Sequence, residues 1–128
     1  MTRSCALALS IFALAAPAVA HHSHAAYDVT KWTVLEGTVK QVVLISPHSL
    51  VYLDVKDEHG GTATWALEAT APAGILRNGV KREDVRAGDT IRARCHLLRD
   101  GAHGCLLGFI TPLHGDAARG DGIELQWD

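Results

Sequence analysis

The stretch "LVYLDVKDEHGGTATWALEA", residues 50–69, decides the fold. From Leu50 to Asp57 the side chains alternate. Leu50, Tyr52, Asp54 and Lys56 fall on one face, and Val51, Leu53 and Val55 on the other. A period of two is the signature of a strand with one apolar face turned inward. "EHGG" (Glu58–Gly61) supplies a hairpin turn, and "TATWALEA" (Thr62–Ala69) is the returning strand.

Working outward from this hairpin, "VLEGTVKQVVLI" (Val34–Ile45) is long and rich in β-branched residues, with Gly37 expected to mark a bend or bulge. "SPHS" (Ser46–Ser49) interrupts it, because Pro47 has no N–H to give a central ladder. Downstream, "TAPAGILRNG" (Thr70–Gly79) predicts a short helix. Thr70 or the residue after it would be its cap, Pro72 stands in its first turn and Asn78-Gly79 is its stop. "VKREDVRAGD" (Val80–Asp89) reads as a loop turning at Gly88-Asp89. Two more strands follow, Thr90–Leu98 and Cys105–Leu113, joined around Arg99-Asp100-Gly101. The Gly- and Asp-rich residues 115–128 are expected to be loose, with "IELQW" able to add an edge strand.

Three strands, a short helix and two strands is the connectivity of an OB-fold, a small five-stranded barrel with its helix between strands three and four. The expected class is therefore mainly β, with the barrel over residues 34–114. Periodicity alone also admits a small β-sandwich or an SH3-like barrel.

Residues 1–20 read as a cleaved signal-peptide helix. Arg3 is the basic residue, "CALALSIFALAA" the apolar run, and "APAVA" offers cuts after Ala18 or Ala20. The run is shorter than the roughly 20 residues a bilayer span needs, so the expectation is a periplasmic or secreted protein with no membrane association after cleavage. A His-rich segment, residues 21–33, would then lead into the barrel. The whole chain has 12 Lys and Arg against 14 Asp and Glu, and loss of Arg3 makes the exported part more acidic. That balance argues against a nucleic-acid partner. Of the three cysteines, Cys95 and Cys105 lie beyond the leader, symmetrically about Asp100. A hairpin centred there places them opposite each other, and an oxidising compartment favours a disulfide. A thiol pair offering sulfur to copper or zinc is the alternative.

The ordered set "HHSHAAYD", "SPHS", Trp65-x-Leu67-Glu68, "RNGVKRED", "AGD" and "LLRDG" resembles a family of small exported bacterial proteins catalogued as domain of unknown function 6152. The resemblance runs from His21 to about Leu113. It implies an exported OB-like barrel with no established activity. The family's shared polar positions fall on His21, His22 and Ser23, then Pro47, His48 and Ser49, Trp65 and Glu68. Others fall on Arg77, Gly79, Lys81 and Arg82, and on Arg99, Asp100 and Gly101. His24 departs from the pattern, where an aromatic residue is usual, and Cys95 and Cys105 look local to this chain.

Cleavage after Ala20 would give His21 a free α-amine, and amine plus imidazole chelate one metal ion. Cleavage after Ala18 would leave His21 in third position, a square-planar arrangement for Cu(II). Imidazole suits copper and zinc alike. The candidate ligand set is His21, His22, His24, His48 from the "SPHS" turn, and Glu68 as ligand or as a partner orienting an imidazole. Against it stand a solvated histidine tail, His48 bonded only to its turn, and Glu68 paired with Arg77, Arg82 or Arg99. His59, His96, His103 and His114 read as surface or satisfied histidines. Trp32, Trp65 and Trp127 read as core rather than a ligand groove, and the cluster Arg77, Lys81, Arg82 and Arg99 as a solvated face, with Arg86, Arg92 and Arg94 alike.

Three function classes follow. The first is a metal-binding exported barrel. The second is a non-catalytic OB-type adaptor for a periplasmic protein or small ligand. The third is an enzyme, for which no nucleophile elbow, phosphate loop, HExxH or carboxylate pair is visible.

Overall fold

In the computed structural model, which describes residues 24–128, the central hairpin forms as its alternation requires. Strands β2 (Ser49–Lys56) and β3 (Thr62–Ala69) pair antiparallel from Ser49↔Ala69 to Lys56↔Thr62. Val51 and Leu53 are fully buried while Leu50, Tyr52 and Asp54 are not. The turn is held by the Asp57 carboxylate, which accepts 2.8 Å bonds from the N–H groups of His59 and Gly61. The expected leader, residues 1–20, and His21 and His22 lie outside the described residues.

Strand β1 (Thr33–Val43) serves two neighbours, pairing with β2 through its second half and with strand β4 (Thr90–Leu97) through its first. A strand shared in this way must bend, and the ladder to β2 slips between Val39 and Gln41. The bulge is therefore at Lys40 and not at Gly37. Gly37 answers a different need: a Cβ there would stand 2.3 Å from the carbonyl oxygen of Asp54. It permits close backbone approach.

Strand β5 (Gly104–Pro112) pairs antiparallel with β4 and parallel with β3, from Ala66↔Gly104 to Glu68↔Leu106. That last pairing closes a five-stranded barrel in the order β1-β2-β3-β5-β4 and back to β1. Its interior is filled by Val39, Leu53, Leu67, Ile91, Leu107 and Ile110, each at most 1 % exposed.

Helix α1 (Pro72–Arg77) lies between β3 and β4, with Ile75 and Val80 joining the core. Proline at its start fixes the helical φ without wasting an N–H. Thr70 does not cap it: the position falls to Ala71, whose side chain has nothing to offer. Thr70 instead packs beneath Gly74, where a Cβ would meet its Cγ2 at 2.7 Å.

Cys95 and Cys105 form a disulfide across the β4–β5 hairpin, with Cα atoms 5.8 Å apart. They are not directly opposed. Cys95 faces Leu107 and Leu97 faces Cys105, because the turn closed by the Leu98 N–H on the Gly104 carbonyl centres the hairpin on Gly101. The cysteines meet diagonally on one inward face, and neither is exposed.

The residues from 115 onward are not loose. Asp116 caps a short 3-10 turn, Ala117–Arg119, by accepting from the Ala118 N–H at 3.0 Å. From it Arg119 grips the Asp89 carboxylate and donates to the Glu83 carbonyl at 2.7 Å. His114, whose side chain is buried, accepts the Asp116 N–H at Nδ1, which leaves Nε2 to donate to the Asp84 carbonyl at 3.1 Å. A two-residue strand β6 (Leu125–Gln126) adds to β5, and Trp127 enters the core at 2 % exposure. Glycine and aspartate here make turns and caps, which their abundance alone misrepresents as looseness.

Candidate functional site

Three of the sequence motifs, far apart along the chain, converge at the outer end of β3. Glu68 projects from the side of β3 opposite the buried Leu67 and Ala69, as alternation dictates. The "SPHS" turn, entered through a cis Ser46–Pro47 bond, carries His48, and backbone pairing of Ser49 with Thr70 at 3.2 Å fixes its neighbour. His48 Nδ1 lies 3.3 Å from Glu68 Oε1. From the other direction the Tyr27 hydroxyl donates to Glu68 Oε2 at 2.6 Å.

Tyr27 belongs to a segment laid along the barrel's outside. It bridges to Leu98, the Asp28 N–H donates to the Leu97 carbonyl at 2.9 Å, and a 3-10 turn, His24–Ala26, precedes it. Arg99, from the "LLRDG" motif, secures that turn twice. Its backbone N–H donates to the Ala26 carbonyl at 2.9 Å and its Nε to that of Ala25 at 3.2 Å. Tyr27 is buried, so its phenol is kept neutral. Burial first, then the hydrogen bond to Glu68 and that carboxylate's charge, push its pKa far above the ordinary 10.0.

Beside this group runs a cleft of about 200 Å³ lined by His24, His48, Ala69, Thr70, Leu106 and Asp128. A groove by α1, lined by Val42, Ile75, Leu76 and Trp127, has room for only about 10 Å³.

The structure thus brings together His48 and Glu68 and sets His24 on the same cleft, while His21 and His22 lie outside the described residues. Among the described residues no three His, Cys, Asp or Glu side chains gather where they could hold a metal ion. Glu68 pairs with Tyr27 and His48 and not with Arg77, Arg82 or Arg99. The disulfide takes Cys95 and Cys105 out of consideration as thiolate ligands.

The remaining histidines are surface or satisfied groups. His59 is exposed in its turn, His96 Nδ1 is 2.6 Å from the Lys31 carbonyl, and His103 stacks on Trp65 at 4.8 Å. Of the tryptophans only Trp127 is fully core, and Trp32 is 47 % exposed. Arg92 pairs with Glu36, and Arg94 with Glu124 while lying over the Phe109 ring at 4.2 Å.

Sequence reasoning passed over Tyr27. Its signal is a single aromatic residue directly after the "HHSHAA" run, a place where a solvated tail has no use for one.

A model of a family of unknown function, DUF6152, matches residues 8–107. No curated protein and no solved structure matches the chain.

Proposed function

The chain belongs to that family of unknown function, and for this member we propose an exported OB-type barrel that binds a divalent transition metal ion, Cu(II) or Zn(II). His48 supplies the barrel's imidazole, His24 a second from the segment docked beside it, and His21 and His22 further nitrogen ligands. Glu68 belongs to the site as His48's partner. One observation carries the reading: the His48 imidazole stands beside the Glu68 carboxylate on a cleft that His24 also lines. Imidazole paired with a carboxylate is a recurrent metal-binding arrangement, and imidazole nitrogens suit these two ions. In this reading residues 1–20 are removed on export, residues 21–33 carry the histidines, and residues 34–114 form the OB-type barrel. The order of strands, the closure of β3 on β5 and the helix between β3 and β4 support that assignment.

The test begins with the protein as its host produces it. Intact mass locates the mature start, and calorimetric titration with Cu(II) and with Zn(II) measures binding. Saturable one-to-one binding that weakens in His48→Ala is the expected result. Binding unchanged by His48→Ala would reduce the site to a chelating tail, and no saturable binding would sink the metal reading.

An adaptor role is the second reading. Trp32 and Val34, 47 % and 56 % exposed, present an apolar face on the barrel's outside.

A further inference from the structure

We propose that Asn78 is a site of covalent self-modification: its amide hydrolyses through a succinimide when the segment carrying β6 lets go of it, and the product keeps that segment from returning. Asparagine occurs once in the chain, at the end of α1 and directly before Gly79. That order exposes the side-chain amide to the next backbone nitrogen. Asn78 is exposed, and Gly79, at φ +86°, has open space where a Cβ would stand, so no side chain hinders ring closure. The Gly79 nitrogen gives up its proton, bonds to Asn78 Cγ and expels ammonia. Water then opens the imide to aspartate, or to isoaspartate with the chain routed through the side chain. Water is the sole co-reactant, and ammonia the leaving group.

The fold restrains both reacting groups. The Gly79 N–H donates to the Leu76 carbonyl at 3.0 Å, which engages the nitrogen that must attack. Asn78 Nδ2 donates to the main-chain oxygen of Asp128 at 2.9 Å and to that of Gln126 at 3.4 Å, so the amide turns toward Gly79 only by leaving that segment. Between the two acceptors, Trp127 sits in the core and its backbone N–H donates to the Gly108 carbonyl at 2.8 Å. Asp128 lines the cleft shared by His24 and His48, so Asn78 also holds one wall of it. After hydrolysis a carboxylate, which only accepts, faces the same two oxygens. An attraction becomes a repulsion, and β6, Trp127 and the Asp128 wall are released together.

Peptide mass spectrometry of the full chain, aged in mildly alkaline buffer with and without guanidinium chloride, tests the chemistry. Conversion at Asn78 is expected in both, and at least about tenfold slower in the fold, a factor that an opening cost of about 1.4 kcal/mol supplies. Hydrogen exchange tests the release. In Asn78→Asp the Trp127 and Thr70 amides, which donate to the Gly108 and Trp127 carbonyls, should exchange faster, while Leu53 in the β2–β3 hairpin stays protected. Asn78→Ser should not convert and should open less. If Asn78→Asp does not fold, wild-type protein aged to partial conversion and separated by charge gives the same comparison. Equal conversion rates in fold and denaturant overturn the proposal, as does no conversion in denaturant. So does a Trp127 amide that stays equally protected once residue 78 carries a carboxylate.

Discussion

Trp32 lies across Gly108 so closely that a Cβ on that glycine would stand 2.6 Å from the ring's Cη2 and 2.7 Å from Cζ3. The ring also meets His96 at a centroid distance of 3.9 Å, and the Arg94 guanidinium sits over it at 5.0 Å. A methyl group at 108 must lift the whole stack. Gly108→Ala is expected to cost about 1–3 kcal/mol, as overpacking does. Urea unfolding would measure it, and the indole emission should shift to the red. Unchanged stability and emission would show that the stack is not anchored there.

The disulfide, itself buried, closes a short loop, sequence separation 10. Constraint of the unfolded chain by a loop of that size is worth about 2–4 kcal/mol. Reduction, or the paired change of Cys95 and Cys105 to alanine, should lower the unfolding free energy measured in urea by that amount. Since neither sulfur is exposed, reduction of the folded protein should be slow and should accelerate in denaturant.

Tyr27 titrates with the sign of a group whose pKa is raised on folding. The fold favours the protonated phenol, so its stabilisation is complete below the ordinary 10.0 and drains away as pH rises through the folded value. Absorbance titration should show a late tyrosine phase that disappears in Tyr27→Phe. Loss of a buried bond to a charged acceptor predicts about 1.5–3 kcal/mol of destabilisation in that variant.

Asp89 has the opposite sign. Burial raises its pKa, but the bonds from Arg119 and from the Arg86 N–H outweigh that and hold it below the usual 3.8. Its contribution is complete above 3.8 and is lost as acid drives pH down through the folded value. Acid unfolding of Asp89→Asn should therefore be less steep than that of the wild type. A matching slope would remove Asp89 from the account.

Trp127 is 2 % exposed, and its backbone N–H donates to the Gly108 carbonyl at 2.8 Å. Trp127→Ala is expected to cost about 3–5 kcal/mol, the range for a large buried aromatic. A loose tail would lose almost nothing, so thermal unfolding distinguishes the two.

Much of the barrel was legible because alternation and turn residues are local signals. Leu50–Ala69 needed only its own residues to be read as a hairpin, and the helix between the third and fourth strands was marked by Pro72 and Asn78-Gly79. Most of the misreadings concern relationships between distant segments. Lys40 and not Gly37 takes the bulge because β1 must serve β2 and β4 at once, which its own sequence does not record. The cysteines meet diagonally because the turn from Leu98 to Gly104 centres the hairpin on Gly101 and not on Asp100, a difference of one residue in turn geometry. Residues 115–128 looked loose until Asp89, Glu83 and Asp84 were seen to hold them. At the site, His48 and Glu68 were recognisable by residue type, whereas Tyr27 becomes a member only when the segment folds back onto β3.

The far edge of β5 is covered in two instalments. β3 occupies it from Gly104 to Leu106, and β6 at Phe109 and Ile110, with Trp127 and Gly122 filling the Gly108 and Pro112 carbonyls. The strand so covered, "GCLLGFITP", carries no charge and is the kind of segment that pairs with copies of itself when its edge is open. The two residues of β6 thus cover that edge, and their removal would open it to strand addition.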